Sequence, residues 1–221
     1  MSELYHKDQY LREAEAIIIS LYDEDGQCCI ELDDDLFYPQ GGGQKGDRGV
    51  LIIDGNEFRV TNTVKGKYGV GSLLLVEPEV PFELQDKKVK CILDWNFRFK
   101  QMRLHTCVHF HHCMLETVAG KPIPHPSTSS IEDGFAFNRY EGHTFDLAIL
   151  DEANAKFQEV LQTNTPVITY PDKDKEGFRW WECAGFKIPC GGLHVRQLDE
   201  IGEVKISSST KKGKITIKFT L

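Results

Sequence analysis

Two short motifs, far apart in the sequence, most constrain how this chain can fold. His105 and His109 are spaced i,i+4, and on a helix this spacing places two imidazoles on one face with Cβ atoms about 5–6 Å apart. Cys190 and His194 enclose two glycines, which allow a loop to bend so that both side chains point the same way. Three neutral imidazoles and one thiolate suit tetrahedral Zn²⁺. We therefore expect the fold to bring the two pairs together around one zinc ion.

A rival ligand and a rival enzyme class lie in the same segment. His112 follows His109 by three residues and would lie near the same face of a helix, so it competes as a metal ligand. A zinc protease is disfavoured, because His105-Thr-Cys-Val-His109 lacks the glutamate that serves as general base in HExxH.

Length, cysteine usage and hydropathy indicate an intracellular globular protein. The 221 residues suffice for one large or two small domains. No apolar run reaches about 18 residues, which argues against a membrane span, and the polar start MSELYHKDQYLREAEA has no signal-peptide core. The seven cysteines are odd in number and scattered, so they predict buried thiols in a reducing cytoplasm rather than a disulfide framework.

The net charge of −8 is unevenly distributed along the chain. Residues 1–91 contain 10 Lys and Arg against 18 Asp and Glu, whereas residues 92–221 contain 16 of each. The overall acidity therefore does not exclude RNA contacts by the second part. Basic candidates for such contacts are Arg98, Lys100, Arg103, Lys211, Lys212 and Lys214.

The first part of the chain has the pattern of a small β-barrel or sandwich. Short β-rich segments such as GQCCIEL, GVLIIDG, EFRVTNTV and GSLLLVEP alternate with Gly- and Asp-containing turns, and KKVKCILD ends the run. Within it lies FYPQGGGQKGDRG, over residues 37–49. Gly41, Gly42, Gly43 and Gln44 could let backbone approach a ligand closely, although no P-loop motif follows.

The second part begins with a helix that carries the histidine motif. Asp94 can cap a helix from about Trp95, and Gly120 can end it. Residues 134–150 are interpreted as two strands joined at 139–143, and a second helix is predicted over about residues 151–163. The end of the chain predicts a hairpin around Thr210-Lys-Lys-Gly213. The domain boundary is expected near residues 91–94.

Four motifs, in order, resemble the AlaX family, the free-standing relatives of the alanyl-tRNA synthetase editing domain. FYPQGGGQKGDRG is similar to the family's Gly-Gly-Gln signature, and the segment from Asp94-Trp95 to His105-Thr106 is similar to the lead into its HxxxH helix. DEANAKFQEVLQTNTPV, with Asn154 at its centre, resembles the family's acidic helix, and CGGLHV resembles its CGGTH motif.

The resemblance implies an α+β fold, with a small N-terminal β-barrel domain over residues 1–91 and a two-layer, zinc-containing editing domain over residues 92–221. It implies a cytoplasmic, zinc-dependent hydrolase that deacylates mischarged tRNA(Ala) in trans, chiefly Ser-tRNA(Ala) and in some members Gly-tRNA(Ala), and spares Ala-tRNA(Ala). No membrane and no stable protein partner are implied. Family positions that match His105, His109, Cys190 and His194 bind the zinc.

The remaining site expectations concern catalysis and substrate binding. The position that matches Gln44 is implicated in editing, and Thr106 is a candidate for a polar contact to serine. Gly41, Gly42, Gly43, Leu193 and Arg103 are expected to bind substrate. Leu193 departs from the family's Thr and removes a hydroxyl beside a metal ligand. A structural-zinc module that holds tRNA without hydrolysing it is therefore the alternative function.

Overall fold

A computed structural model describes residues 2–66, 71–142 and 144–221. The chain forms two compact units, of which the first is mainly β and the second is α+β. The first comprises Met1–Gly41 and Lys45–Phe99, and the second comprises Gly42–Gln44 and Lys100–Leu221. The Gly-rich segment is thus divided, because three of its residues belong to the second unit.

The first unit is a closed six-stranded antiparallel barrel. Its strands are Glu13–Glu24 (β2), Gln27–Leu32 (β3), Gly49–Ile53 (β5), Asn56–Lys65 (β6), Ser72–Glu77 (β7) and Lys88–Leu93 (β8). Their order around the barrel is β2, β3, β7, β6, β5, β8. Cys91 of β8 lies opposite Ala14 of β2 and Leu51 of β5, so β8 closes the ring. The barrel predicted from the short strands is confirmed.

Apolar side chains that alternate along the strands fill the barrel. Ile18, Ile30, Leu32 and Leu51 are fully buried in its core, and burial of each such side chain stabilises the fold by about 1.5–3 kcal/mol. Outside the barrel, Ser2–Glu3 (β1) pairs in parallel with Asp34–Asp35 (β4), and Leu4–Lys7 form a short helix, α1.

A buried ion pair organises the chain around the Gly-rich segment within the first unit. The Arg98 guanidinium contacts the Asp47 carboxylate, and both side chains are fully buried. Arg98 also donates to the Leu36 carbonyl, while the Asp47 carboxylate accepts from the Tyr38 N–H at 2.6 Å. Because Arg98 is buried in this pair, the expectation that it contacts tRNA phosphates is wrong.

Helix α2, Trp95–Ala119, begins in the first unit and continues into the second. The Asp94 carboxylate accepts from the Phe97 N–H at 3.1 Å, as an N-cap does, and Gly120 follows the helix with φ +64°. The predicted start and end of this helix are confirmed, and both histidines of the motif lie on it.

In the second unit, α2 packs with helix α3, Ala148–Val160, on a four-stranded sheet. Phe157 of α3 contacts Phe110 of α2 and Phe219 of the sheet, with ring centroids 6.0 Å apart in both pairs. The strands of the sheet are Thr128–Ile131 (β9), Phe135–Glu141 (β10), Lys205–Lys211 (β14) and Lys214–Thr220 (β15). Their order in the sheet is β14, β15, β10, β9. The predicted final hairpin is confirmed.

The interpretation of residues 134–150 as two strands is wrong. One strand, β10, ends at Glu141, and the chain enters α3 at Ala148. Just before the helix, the Asp146 carboxylate accepts from the Ala148 N–H at 2.9 Å, a local turn contact. His143, at the predicted turn, lies outside the described residues.

A three-stranded antiparallel sheet completes the second unit. Its strands are Val167–Pro171 (β11), Arg179–Cys183 (β12) and Phe186–Pro189 (β13), with β12 in the middle. Trp181 is fully buried on one face of this sheet, and the chain leaves β13 directly into the Cys190 motif. Among the described residues, no helix is long and apolar enough to cross a membrane.

Candidate metal centre and adjoining cavity

Helix α2 and the loop after β13 bring the four predicted zinc ligands together. His105 and His109 come from the helix, and Cys190 and His194 come from the loop. One ligand atom from each residue lies within 4.8 Å of all the others. The loop is tied to β12, because the Cys190 N–H donates to the Arg179 carbonyl at 3.0 Å.

The distances between these atoms fit a tetrahedral zinc site. The Sγ of Cys190 lies 3.5 Å from Nε2 of His105, 3.2 Å from Nε2 of His109 and 3.3 Å from Nε2 of His194. Zn–S and Zn–N bonds of about 2.3 and 2.05 Å at a tetrahedral angle require an S···N separation of about 3.6 Å. The observed separations are within a few tenths of an ångström of that value, so the residues fit the ion.

Hydrogen bonds to the other ring nitrogens fix which imidazole atom is free for a metal. Gln44 Oε1 accepts from the Leu193 N–H at 3.0 Å, which identifies that atom as the oxygen, and it lies 2.8 Å from His105 Nδ1. His105 Nδ1 therefore carries the proton. Thr106 Oγ1 donates to the Met102 carbonyl at 2.9 Å and lies 3.2 Å from His194 Nδ1, so it accepts from that nitrogen. Both rings thus offer an unprotonated Nε2, as metal binding requires.

Burial keeps the imidazoles in the form that binds metals. Removal from water lowers the pKa of His105 to about 4 and lowers the pKa of His109 and His194 well below the ordinary value. Burial also raises the pKa of the Cys190 thiol to about 11, although the Gly192 N–H lies 3.3 Å from its sulfur and favours the thiolate. A metal must therefore displace one proton, from the thiol, when it binds.

Glycines in both motifs allow this close packing. A Cβ on Gly192 would lie 2.1 Å from the His105 ring, so the loop needs glycine at that position. A Cβ on Gly43 would lie 2.9 Å from the Ser129 carbonyl oxygen, and Gly43 has φ +83°. Its own carbonyl accepts from the Ile131 N–H at 2.8 Å. These contacts hold Gly43, and with it the neighbouring Gln44, in place within the second unit.

A cavity of about 340 Å³ adjoins the cluster within the second unit. His105 and His109 line it from α2, and Gly42 lines it from the Gly-rich segment. The other lining residues are Val108, His112, His125, Pro126, Ser129, Ile131, Asn138, Ile188 and Pro189. None of the described lining residues is Lys, Arg, Asp or Glu, so the cavity suits an uncharged, partly polar group.

The remaining predicted site residues lie away from the lining of this cavity. Thr106 is fully buried, and it also accepts from the Val195 N–H at 3.3 Å. Leu193 is fully buried and contacts Gln44 through its backbone. Arg103 donates to the Ile201 carbonyl at 2.6 Å. Gly41 belongs to the first unit, where its carbonyl accepts from the Tyr38 hydroxyl at 3.3 Å. Their substrate-binding roles stay predictions.

Four further polar or aromatic residues around the cluster were not found by sequence reasoning. Trp181 packs against His109 and His194, with ring centroids 5.5 and 6.0 Å apart. Ser129, Asn138 and Tyr140 form a hydrogen-bonded row along the sheet. Asn138 and Tyr140 both lie on the buried face of β10, which alternates along the strand. A polar side chain at such a position was the available sign that it takes part in a hydrogen-bonded site.

Comparison with known proteins gives a consistent assignment. No family model matches the chain. It is 31% identical to the alanyl-tRNA editing protein AlaX-M of Pyrococcus horikoshii, over 99% of this chain and 97% of that protein. It is 30% identical to AlaX-M of Methanosarcina acetivorans, over 96% of this chain and 94% of that protein.

A longer relative matches over the same stretch. The alanine–tRNA ligase of Pyrococcus furiosus is 35% identical over 92% of this chain, which corresponds to 24% of the ligase. The chain thus matches one segment of the ligase and nearly the whole of the AlaX-M proteins. From these identities and this coverage, the chain belongs to the AlaX family of alanyl-tRNA editing proteins.

Proposed function

We propose that the protein hydrolyses the ester bond of mischarged tRNA(Ala) in trans, chiefly Ser-tRNA(Ala), and spares Ala-tRNA(Ala). The observation that carries this proposal is the uncharged cavity beside four zinc-type ligands. An aminoacyl group on a ribose is small enough for a cavity of about 340 Å³. Because the aminoacyl ester is already activated, the reaction needs no ATP.

The cluster supplies the metal centre in this proposal. When bound, zinc supplies a Lewis acid that holds and polarises an oxygen or nitrogen of the substrate. His105 and His109 line the cavity, so the metal side of the site is open to it. Thr106 acts as a positioning residue, because its hydroxyl holds His194 in the tautomer that leaves Nε2 unprotonated.

Gln44 connects the Gly-rich segment to the metal ligands. Its Oε1 holds His105 and the Leu193 N–H together, while its Nε2 is buried without a hydrogen-bond partner among the residues that the structure describes. An unpaired buried amide costs about 1–3 kcal/mol. We infer that substrate or an ordered water receives this hydrogen bond during the reaction.

Selection for serine over alanine rests on a polar contact. A site built to bond a hydroxyl rejects the analogue that lacks it, since a buried polar group would remain unpaired. The polar side chains on the cavity wall, Ser129, Asn138 and His112, can provide such contacts. Leu193 offers no donor or acceptor in its side chain, so its expected role is to pack the loop rather than to read the hydroxyl.

The tRNA partner is contacted by basic residues of the second unit, in the cytoplasm where translation occurs. Lys211 and Lys212 are exposed at the turn between β14 and β15. Lys205 and Lys214 are also exposed on these strands. Such contacts to phosphate fix the position of the acceptor end without reading the amino acid.

Parallel hydrolysis assays with Ser-, Gly- and Ala-tRNA(Ala) test the proposal. We expect release of serine well above the spontaneous rate, slower release of glycine, and no acceleration with Ala-tRNA(Ala). The Cys190→Ala variant should lose this activity while its affinity for tRNA stays equal to that of the wild type. Binding of Ser-tRNA(Ala) without release of serine would instead support the structural-zinc module.

A further inference from the structure

His112 is buried beside the metal cluster yet has one ring nitrogen unpaired. It lies on α2 seven residues after His105 and three after His109, and its side chain lines the same cavity. The residue is 3% exposed. Its Nε2 has no hydrogen-bond partner among the described residues. The nearest acidic atom, Glu116 Oε1, lies 3.8 Å away and already accepts from the Ile123 N–H at 3.0 Å.

A chain of hydrogen bonds favours a proton on this nitrogen. Asn138 Nδ2 donates to the Val108 carbonyl at 2.8 Å and reaches the Tyr140 hydroxyl oxygen at 3.4 Å. The Tyr140 O–H can then donate to His112 Nδ1, 3.0 Å away. This arrangement gives each donor of the row an acceptor, and it leaves the proton of the neutral ring on Nε2.

Burial supports the neutral form of this ring. It lowers the pKa of His112 to about 4, although the Glu116 carboxylate acts in the opposite direction. The ring of His125 packs against it, with centroids 5.1 Å apart, and the Tyr140 ring stacks on it at 5.9 Å. His112 is thus a fixed, neutral donor rather than a mobile surface group.

The chemistry of the cavity identifies what this donor would bind. Among the described residues that line it, none carries a formal charge at neutral pH other than through histidine, which disfavours a phosphate or carboxylate. An uncharged acceptor oxygen fits, and the aminoacylated 3′ end of tRNA offers two kinds, the seryl hydroxyl and a ribose hydroxyl. His112 follows His109 by three residues, within one helical turn, and follows His105 by seven residues, about two turns, so it lies near the same face of the helix as both.

We propose that His112 is a specificity-determining residue that donates through Nε2 to a hydroxyl oxygen of the aminoacylated 3′ end, with Tyr140 as its positioning residue. This inference rests on the proposed function and names a contact within the same site. The row from Asn138 through Tyr140 to His112 leaves the proton on Nε2, and the substrate that enters the cavity supplies the acceptor oxygen.

Two conservative variants separate the two ring nitrogens. His112→Asn keeps an acceptor near the Nδ1 position for Tyr140 but has no donor at the Nε2 position, whereas His112→Gln keeps a donor there. Glu116→Gln is the matched control on the next turn of α2. For each, kcat/KM is measured with Ser-tRNA(Ala) and Gly-tRNA(Ala), together with zinc content and thermal midpoint.

We expect His112→Asn to lower the Ser/Gly ratio of kcat/KM about tenfold, with zinc content unchanged. His112→Gln should stay within about threefold of wild type, and Glu116→Gln should not alter the ratio. If kcat/KM for both substrates falls equally in His112→Asn and recovers in His112→Gln, the bound hydroxyl belongs to the ribose.

Two results would overturn the inference. One is unchanged kinetics in His112→Asn, and the other is equal loss in both variants accompanied by loss of zinc or of thermal stability. A wild-type protein that releases neither serine nor glycine would refute the proposed function itself. The kinetics of the wild type thus separate that failure from an error in the role of His112.

Discussion

The amide Oε1 of Gln44 lies 2.8 Å from Nδ1 of His105, although 61 residues separate them in the sequence. The same oxygen accepts from the Leu193 N–H at 3.0 Å. One side chain thus connects the Gly-rich segment, the histidine helix and the loop of Cys190. This arrangement predicts a physical role for the Gln44 motif, namely to orient His105, a predicted metal ligand.

Removal of the Gln44 amide should therefore weaken both metal binding and activity. In Gln44→Ala, the His105 and Leu193 N–H groups lose their acceptor, and loss of such a supporting partner lowers metal affinity about 10–100-fold. Competition with a chromogenic zinc chelator measures this change. Gln40→Ala is the control, because Gln40 is exposed in the same segment. Equal zinc affinity in the two variants would contradict the role.

A second prediction concerns the ligand set. The wild-type protein should contain one zinc per chain, and Cys190→Ala should lose most of it, because the three remaining nitrogens lack the thiolate. Cys107→Ala is a suitable control, since Cys107 is a buried cysteine on the same helix that belongs to no metal cluster among the described residues. Metal analysis after gel filtration measures both. Retention of zinc in Cys190→Ala would show that the ligand set is wrong.

Local signals in the sequence predicted most of the framework. Asp94 and Gly120 marked the ends of α2, and alternating residues around Lys211–Gly213 marked the final hairpin. The two motif pairs predicted one metal cluster because their donor types and spacing are restrictive. Side-chain bonds between distant residues could not be predicted in this way.

Two examples show the reason. Arg98 had the sequence context of a basic surface residue, yet Asp47, 51 positions earlier, takes it into the interior. His112 had the spacing of a rival ligand, yet Tyr140 on a strand fixes its ring. In both cases the partner is supplied by tertiary packing, for which a single sequence contains no local pattern.

The buried Asp47–Arg98 pair should dominate the electrostatic contribution to the stability of the first unit. Asp47→Ala leaves the Arg98 charge buried and unpaired, which costs about 3–5 kcal/mol. Arg59→Ala, which breaks the exposed pair with Glu77 at 2.7 Å, should cost about 1 kcal/mol or less. Urea unfolding of the full chain measures both. Similar midpoints for the two variants would show that Arg98 finds another partner or water.

Asp35 should make stability depend on pH. Burial, with the Glu3 carboxylate nearby, raises the pKa of Asp35 from 3.8 to about 7, while Ser72 acts in the opposite direction. The folded state thus favours the protonated carboxyl, and this contribution is complete below pH 3.8 and is lost as pH rises through 7. The free energy of unfolding of Asp35→Asn should therefore increase relative to that of wild type between pH 4 and pH 8, by on the order of 1–3 kcal/mol. Asp34→Asn, at the neighbouring half-buried position, is the control, and a pH-independent difference would contradict the assignment.

The β14–β15 turn should contribute to the salt dependence of tRNA binding. Lys211 and Lys212 are exposed there, while Lys214 lies 3.2 Å from Glu141 and is partly neutralised. Each lysine that contacts a phosphate releases counterions, so binding weakens as salt increases. Replacing all three by Ala should make the slope of log K against log salt shallower by about 2 rather than 3.

The matched control for this prediction replaces three lysines of the barrel unit, Lys87, Lys88 and Lys90, which are exposed along and before β8. Both triple variants change the net charge equally, so a general charge effect would alter both slopes alike. Filter binding of uncharged tRNA(Ala) at several salt concentrations measures the slopes. We expect only the hairpin variant to differ from wild type. If its slope equals that of wild type, the tRNA backbone must be held by other basic residues, such as Lys100.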